Sequence, residues 1–300
     1  MSLLVVGSVA FDSVETPFGC AEESLGGSAV YFSFASSLLV ETRLVGVVGT
    51  DFKKEYIAWI EEKGIDIRGL LRVPGETFRW SGRYEGDMNS AETVAVNLNV
   101  FGKFDPQLPD SYLDSEYIFL ANGHPNIQMK VLEQVDNPTL VMADTMNLWI
   151  ETERNALMEL FAKVDGLIIN DGEARQLTGE HLTVAAGKRI VEMGPEIVIV
   201  KKGEHGALLF YEDDVFAVPS FPVEKVLDPT GAGDSFAGGV MGYLAQQDQI
   251  DSTTLKRSLI YGTTMASLNV ESFSLNRLRE ISRQDVARRA QSFIEMLRFE

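Results

Sequence analysis

Six short runs of this chain are apolar on both faces: 3–9 (LLVVGSV), 42–49 (TRLVGVVG), 117–123 (YIFLANG), 139–145 (TLVMADT), 166–171 (GLIIND) and 196–203 (EIVIVKKG). A strand with two apolar faces must be covered on both, which is the situation of a parallel strand held between two layers of helices. The amphipathic segments between the runs supply those helices. The expected fold class is α/β, a three-layer αβα sandwich with a mostly parallel central sheet. Several runs end in small or polar residues, namely Gly7, Asn122, Asp144, Asn170 and Lys201. In open parallel sheets the ligand lies beyond the carboxyl ends of the strands, so these positions are candidates for a site.

Residues 77–101 break the rhythm. Alternating stretches such as TVAVNLNV, interrupted by glycine and asparagine turn signals, predict an antiparallel ribbon that projects from the main sheet. A small β-ribbon lid formed from about 12–24 and 77–101 is the functional reading. No repeat, low-complexity tract or Pro/Gly/Ser-rich linker divides the chain, so 1–300 is expected to be one domain carrying this insertion.

The formal net charge of -18 repels nucleic acid and anionic membrane surfaces, and neither is an expected partner. Cys20 is the single cysteine, which rules out an intrachain disulfide and suits a reducing cytoplasm. The start, MSLLVVGSVAF, has no basic residue before its apolar run and reads as a buried first strand rather than a secretory signal. His124, His181 and His205 lack ligand-like spacing, which argues against a zinc site.

The most informative stretch is VLDPTGAGDSFAGGVMGYLAQQ, residues 226–247. Asp228 to Asp234 form a turn of conformationally permissive residues, and from Ser235 the apolar spacing becomes helical. The first N–H groups of such a helix have no intrahelical partner, and with the macrodipole they can receive an anion. Gly231 and Gly233 let a phosphate approach, and Asp234 stands beside it as a candidate acceptor for the proton of an attacking hydroxyl. An isolated Gly-x-Gly-Asp would more simply be a helix cap. No G-x-x-x-x-G-K-[ST] is present, and no G-x-G-x-x-G follows the first strand, which disfavours Walker-type NTPases and dinucleotide oxidoreductases.

DPTGAGDSFAGG closely resembles the C-terminal signature of the ribokinase or PfkB family of carbohydrate and nucleoside kinases, and the resemblance extends from the first strand to about Phe273. It implies a ribokinase-like fold and ATP-dependent transfer of a phosphoryl group to a hydroxyl. Asp234 would be the base, and Gly231, Ala232 and Gly233 the anion hole. Asn170-Asp171-Gly172-Glu173 looks like the family's N-x-x-E motif, which implies that Glu173 helps to hold Mg²⁺ through water while Asn170 serves the nucleotide. Lys201-Lys202-Gly203-Glu204-His205-Gly206 looks like the family's nucleotide loop; Gly203 and Gly206 match it, and Lys201 stands where threonine is frequent. The resemblance also offers Asp228 and Thr230 to a monovalent cation such as K⁺, although Glu271 to Ser274 depart from the glycine-containing pattern of the remaining ligands. Members that phosphorylate vitamin-like heteroaromatic alcohols usually carry cysteine where Asp234 stands, so that branch is disfavoured.

On the acceptor side, Gly7, Asp12 and the Gly26-Gly27 pair fit the family's other signature. An aspartate soon after the first strand can accept hydrogen bonds from two sugar hydroxyls. Tyr31 replaces the asparagine common in ribokinase-like members; its ring could stack on a base or a sugar face, or pack into the core. Sugar or related polyol is the expected acceptor, nucleoside the alternative, and a non-catalytic binding regulator the reading from another class. Asn122, His124, Asp144 and Asn147 are further pocket candidates. Arg79, Trp80 and Arg83 could close over a ligand or join two copies of the chain in a homodimer through the lid.

Overall fold

The computed structural model describes residues 1–298. In chain order the strands are β1 (Ser2–Val6), β2 (Ala10–Thr16), β3 (Gly19–Gly26), β4 (Glu41–Val48), β5 (Asp66–Arg72), β6 (Phe78–Tyr84) and β7 (Ala91–Asn97). They continue as β8 (Tyr117–Leu120), β9 (Leu140–Ala143), β10 (Gly166–Asn170), β11 (Ile197–Lys201), β12 (Ala207–Tyr211) and β13 (Asp214–Val218). All six doubly apolar runs are strands of one nine-stranded sheet, ordered β13-β12-β11-β10-β9-β8-β1-β4-β5. Pairing is parallel from β11 across to β5, and antiparallel only where β12 and β13 fold back along the edge.

Alternate residues of each strand feed two separate cores, as the apolar pattern requires. Leu3 and Val5 of β1 pack with the helices Ser28–Ser36, Ala232–Leu244, Ser252–Asn269 and Arg283–Met296. Leu4 and Val6 pack with Arg154–Phe161, Asp171–Thr178 and Thr183–Val191 on the other face. The result is the three-layer αβα sandwich. Among the described residues no helix is long and apolar enough to cross a membrane.

A second, four-stranded sheet runs β3-β2-β6-β7. The antiparallel ribbon expected at 77–101 is the hairpin β6-β7, and because β6 also pairs in parallel with β2 the whole sheet is mixed. The reason is connectivity: β6 lies beside β2 from the start of the chain, and only β7 follows it as a hairpin. The 93–100 run also ends early as a strand. Asn99 takes φ 47°, its side-chain amide donates to the Thr77 carbonyl (2.9 Å), and the chain turns into a short 3-10 helix.

One contact pins the helix Ser28–Ser36, which follows Gly26-Gly27, to the central sheet. The Phe32 and Phe119 rings are fully buried and stack with centroids 4.5 Å apart and planes 7° from parallel. Replacing Phe119 by alanine should lower the unfolding free energy by about 3–5 kcal/mol. Urea denaturation followed by circular dichroism reads this directly, and a loss below about 1 kcal/mol would show that the stack is not a principal fastening of the layer.

Candidate active site

Glycine begins the site. Gly231 takes φ 73°, ψ 2°, as the residue before the helix Ala232–Leu244, and a Cβ there would lie 2.2 Å from the Tyr31 ring. The left-handed backbone and the close approach both demand glycine. The helix starts at Ala232, so Asp234 lies within its first turn rather than ahead of it. Ala232 N–H donates to the Pro229 carbonyl at 3.1 Å, and Ser235 N–H to the Gly231 carbonyl at 2.8 Å. The N–H groups of Gly231, Gly233 and Asp234 have no partner among the described residues. The set of unpaired N–H groups therefore differs from the expected Gly231, Ala232 and Gly233, because closing the turn engages Ala232.

Three carboxylates and one ammonium gather at this helix start. Lys201 ends β11 opposite Asn170, the end of β10, and Asp144 follows β9. Lys201 Nζ stands 3.9 Å from Asp144 Oδ2. Burial pushes the Asp234 carboxyl up to about 7; Asp144 and Asp12 add to the rise and Lys201 opposes it. Burial and Asp144 also raise Glu173 to about 7, again against Lys201. Burial would lower the Lys201 ammonium, but Asp144, Glu173 and Asp234 outweigh it and hold its pKa above the ordinary value. Asp144 itself is raised by burial, with Lys201 countering.

Asn170 and Glu173 form a reciprocal cap. Asn170 Oδ1 accepts from Glu173 N–H (2.8 Å) and Glu173 Oε2 accepts from Asn170 N–H (2.9 Å), which leaves the other Glu173 oxygen free. Among the described residues no three His, Cys, Asp or Glu side chains form a ready cage for a metal. An open corner of carboxylate oxygens nonetheless fits a hard divalent cation such as Mg²⁺, which keeps much of its water and shares phosphate oxygens.

Asp228 and Thr230, offered by the resemblance to a monovalent cation, are both hydrogen-bonded within the fold. Asp228 accepts from Thr230 N–H (2.9 Å) and Ser274 N–H (3.0 Å), and the Thr230 carbonyl accepts from the Asn269 amide (2.7 Å).

On the acceptor side Asp12 lies within β2, not in a loop, and is 5% exposed. Its Oδ2 accepts from Gly27 N–H at 3.3 Å, and a Cβ on Gly26 would lie 2.0 Å from that oxygen, so the glycine pair makes room for the carboxylate. Burial raises Asp12 to about 7, with the Gly27 N–H lowering and Asp228 raising it. Tyr31 is 1% exposed and its ring lies under Gly231. It packs into the core and buttresses the turn, so it has no free face to stack on a ligand; its direct substrate-binding role is set aside.

The remaining sequence candidates have structural partners. Arg79 is tied to Glu23 (3.1 Å) and Asp51 (2.9 Å), and Arg83 to Glu15 (3.0 Å). His124 caps the helix Pro125–Leu132, and Asn122 accepts from the Trp149 indole at 3.1 Å.

Lys201, Asn170, Gly203 and Gly206 line a groove of about 530 Å³ whose far wall includes Phe221 and Val270. Met88 and Asn89, from the turn between β6 and β7, also line it. Asn89 faces the nucleotide-loop candidate: its side chain lies 3.5 Å from both Glu204 N and Glu204 Oε1. Sequence reading missed Tyr84, Met88 and Asn89, because a turn reveals nothing about what it folds against. Tyr84 O–H lies 3.4 Å from Thr230 Oγ1, which brings the small sheet against the Asp228 loop.

A glycine turn with free N–H groups and a carboxylate beside it, at the carboxyl ends of a parallel sheet, suits a phosphotransferase with a hydroxyl acceptor. The family model described as pfkB family carbohydrate kinase matches residues 3–280, and the chain belongs to that family. One relative is the cytidine kinase of Thermococcus kodakarensis, 29% identical over 250 residues that cover 81% of this chain and 88% of that protein. The nucleoside kinase structure of Methanocaldococcus jannaschii superposes with a TM-score of 0.78 at 22% identity, covering 97% of this chain and 98% of the other. The Arabidopsis thaliana ribokinase solved with ribose and ATP reaches 0.78 at 20% identity, covering 96% and 98%.

Burial pushes both the Asp12 and the Asp234 carboxyls up to about 7, and an enzyme that used one to hold acceptor hydroxyls and the other to take the proton would need both ionised. A raised carboxyl pKa places the active form on the alkaline side. The acceptor kcat/KM should thus fall as pH drops below about 7, approaching a slope of two in a logarithmic plot. Steady-state kinetics between pH 5 and 9, approximately, give the profile, and a rate unchanged down to about pH 5 would contradict these environments.

Proposed function

We propose that this protein transfers the γ-phosphoryl group of ATP to a hydroxyl of a sugar or nucleoside, with Asp234 as the general base. The observation that carries this is the Asp234 carboxylate in the first turn of a helix whose Gly231, Gly233 and Asp234 N–H groups are unpaired among the described residues. The acceptor O–H is held by Asp12 and oriented by Asp234. Its oxygen forms the new bond to the γ-phosphorus, the bond to the β-phosphate oxygen breaks with its electron pair leaving on ADP, and the proton passes to Asp234. Because the transition state is loose, Asp234 can take the proton late, and its main task is orientation. Mg²⁺, held near Glu173 through water, supplies charge neutralisation for the phosphates.

The groove bounded by Lys201, Gly203 and Gly206 is the place for the nucleotide in this reading. The β3-β2-β6-β7 sheet acts as the lid, carrying Asp12 on β2, with Met88 and Asn89 of its β6-β7 turn lining the groove. Val94 and Val96 on its outer strand β7 are exposed, which suits pairing with a second copy of the chain. A nucleoside acceptor has specific support from the named relatives and from the apolar lid cluster of Val14, Tyr84 and Met88, which could cover a base.

The test is ATP consumption with a panel of pentoses, hexoses, inositols and nucleosides, followed by Asp234→Asn with the best acceptor. Asparagine keeps the shape and deletes the proton acceptor, so kcat should fall by about 10²–10⁴ while nucleotide affinity changes little. Turnover within about tenfold of wild type would remove Asp234 as base. Tight ligand binding without turnover on any acceptor would favour a binding regulator.

A further inference from the structure

We propose that Lys201 is a catalytic residue, its ammonium contacting an oxygen of the γ-phosphoryl group during transfer; this rests on the kinase reading above. The side chain rises from the end of β11 toward the glycine turn, and a Cβ built on Gly233 would lie 2.9 Å from Nζ. The ammonium therefore lies against the backbone whose free N–H groups face the same anion.

Its own donors are unused. The side chain is 17% exposed, and among the described residues no hydrogen bond engages Nζ. Asp144 is the only carboxylate within ion-pair range among those residues, and its oxygen is 3.9 Å away, too far for a hydrogen bond. Lys201 lines the groove, where its ammonium donors are open to an incoming acceptor. Asp144, Glu173 and Asp234 hold the lysine charged but do not fill its donors. An anion set between the Gly233 N–H and Lys201 Nζ would.

Charge balance supports the same place. Three carboxylates face one ammonium at the point where a polyphosphate must arrive, so a fixed positive group next to the glycine turn offsets local repulsion. Threonine, frequent here in the resembling sequences, would offer a neutral hydroxyl. In the transfer the bond from γ-phosphorus to the β-phosphate oxygen breaks, the acceptor oxygen bonds to phosphorus, and Asp234 receives the hydroxyl proton. Lys201 stays protonated throughout and stabilises charge on the equatorial oxygens, needing no reorganisation because its position is set in advance.

The experiment compares wild type, Lys201→Met and Lys201→Arg with a turned-over acceptor, together with their melting temperatures. Lys201→Met should lower kcat by about 10²-fold with the KM for ATP changed by less than about threefold, and Lys201→Arg should recover about tenfold of that loss. A purely structural lysine would move the melting temperature and leave this kcat-against-KM split absent. A kcat for Lys201→Met within about threefold of wild type, or a loss confined to KM, overturns the assignment. Should Lys201→Met fail to fold, Lys201→Leu carries the same expectations. Absence of wild-type turnover on every acceptor overturns the kinase reading instead, which keeps the two failures distinct.

Discussion

The close packing of Gly231 on the Tyr31 ring fixes the rest of the site. With φ 73° and no space for a Cβ, the chain turns sharply into the helix Ala232–Leu244. That turn closes through Ala232 N–H and leaves its neighbours pointing outward. Because the helix is anchored through Phe236 and Val240 in the same core as Tyr31 and Phe32, the free N–H groups are held rigidly. Preorganised donors are what a charged transition state requires, since no energy is then lost in gathering them. The aromatic ring beneath the turn is thus part of the scaffold that holds these N–H groups.

The second constraint is charge. In a chain with a net charge of -18, an anionic nucleotide can be accommodated only where positive potential is local. The register of β10 and β11 puts Asn170 opposite Lys201, which brings the Glu173 cap and the Lys201 ammonium to one end of the sheet. The carboxylates there are pushed toward neutrality by burial and by each other, and Lys201 limits the rise. Such opposing shifts are common where proton transfer takes place.

Much of the architecture was legible because a parallel strand buried on two faces has a distinctive composition. The runs that became β1, β4, β8, β9, β10 and β11 show it plainly. β5 (DIRGLLR) was not recognised, because it lies at the sheet edge and carries charged residues on its open side. β2 and β3 were expected only as the 12–24 part of the ribbon, and in GCAEESLG most side chains face water, so no apolar alternation marks the limits of β3. At the site, Asp234 and the glycine turn were readable from one contiguous segment. Burial of the Tyr31 ring, engagement of Ala232 N–H, the Asn269 amide on Thr230 and the unfilled donors of Lys201 all depend on contacts between distant segments, which spacing along the chain does not encode.

The central claim is that Asp234 receives a proton and never the phosphoryl group. A carboxylate beside a phosphate could instead act as a nucleophile and form an aspartyl phosphate. The stereochemical course at the γ-phosphorus separates the two, read with ATP made chiral at that phosphorus by sulfur and oxygen isotopes. Direct in-line transfer to the acceptor predicts inversion of configuration. Net retention would require two displacements through a covalent enzyme intermediate and would contradict the role assigned to Asp234.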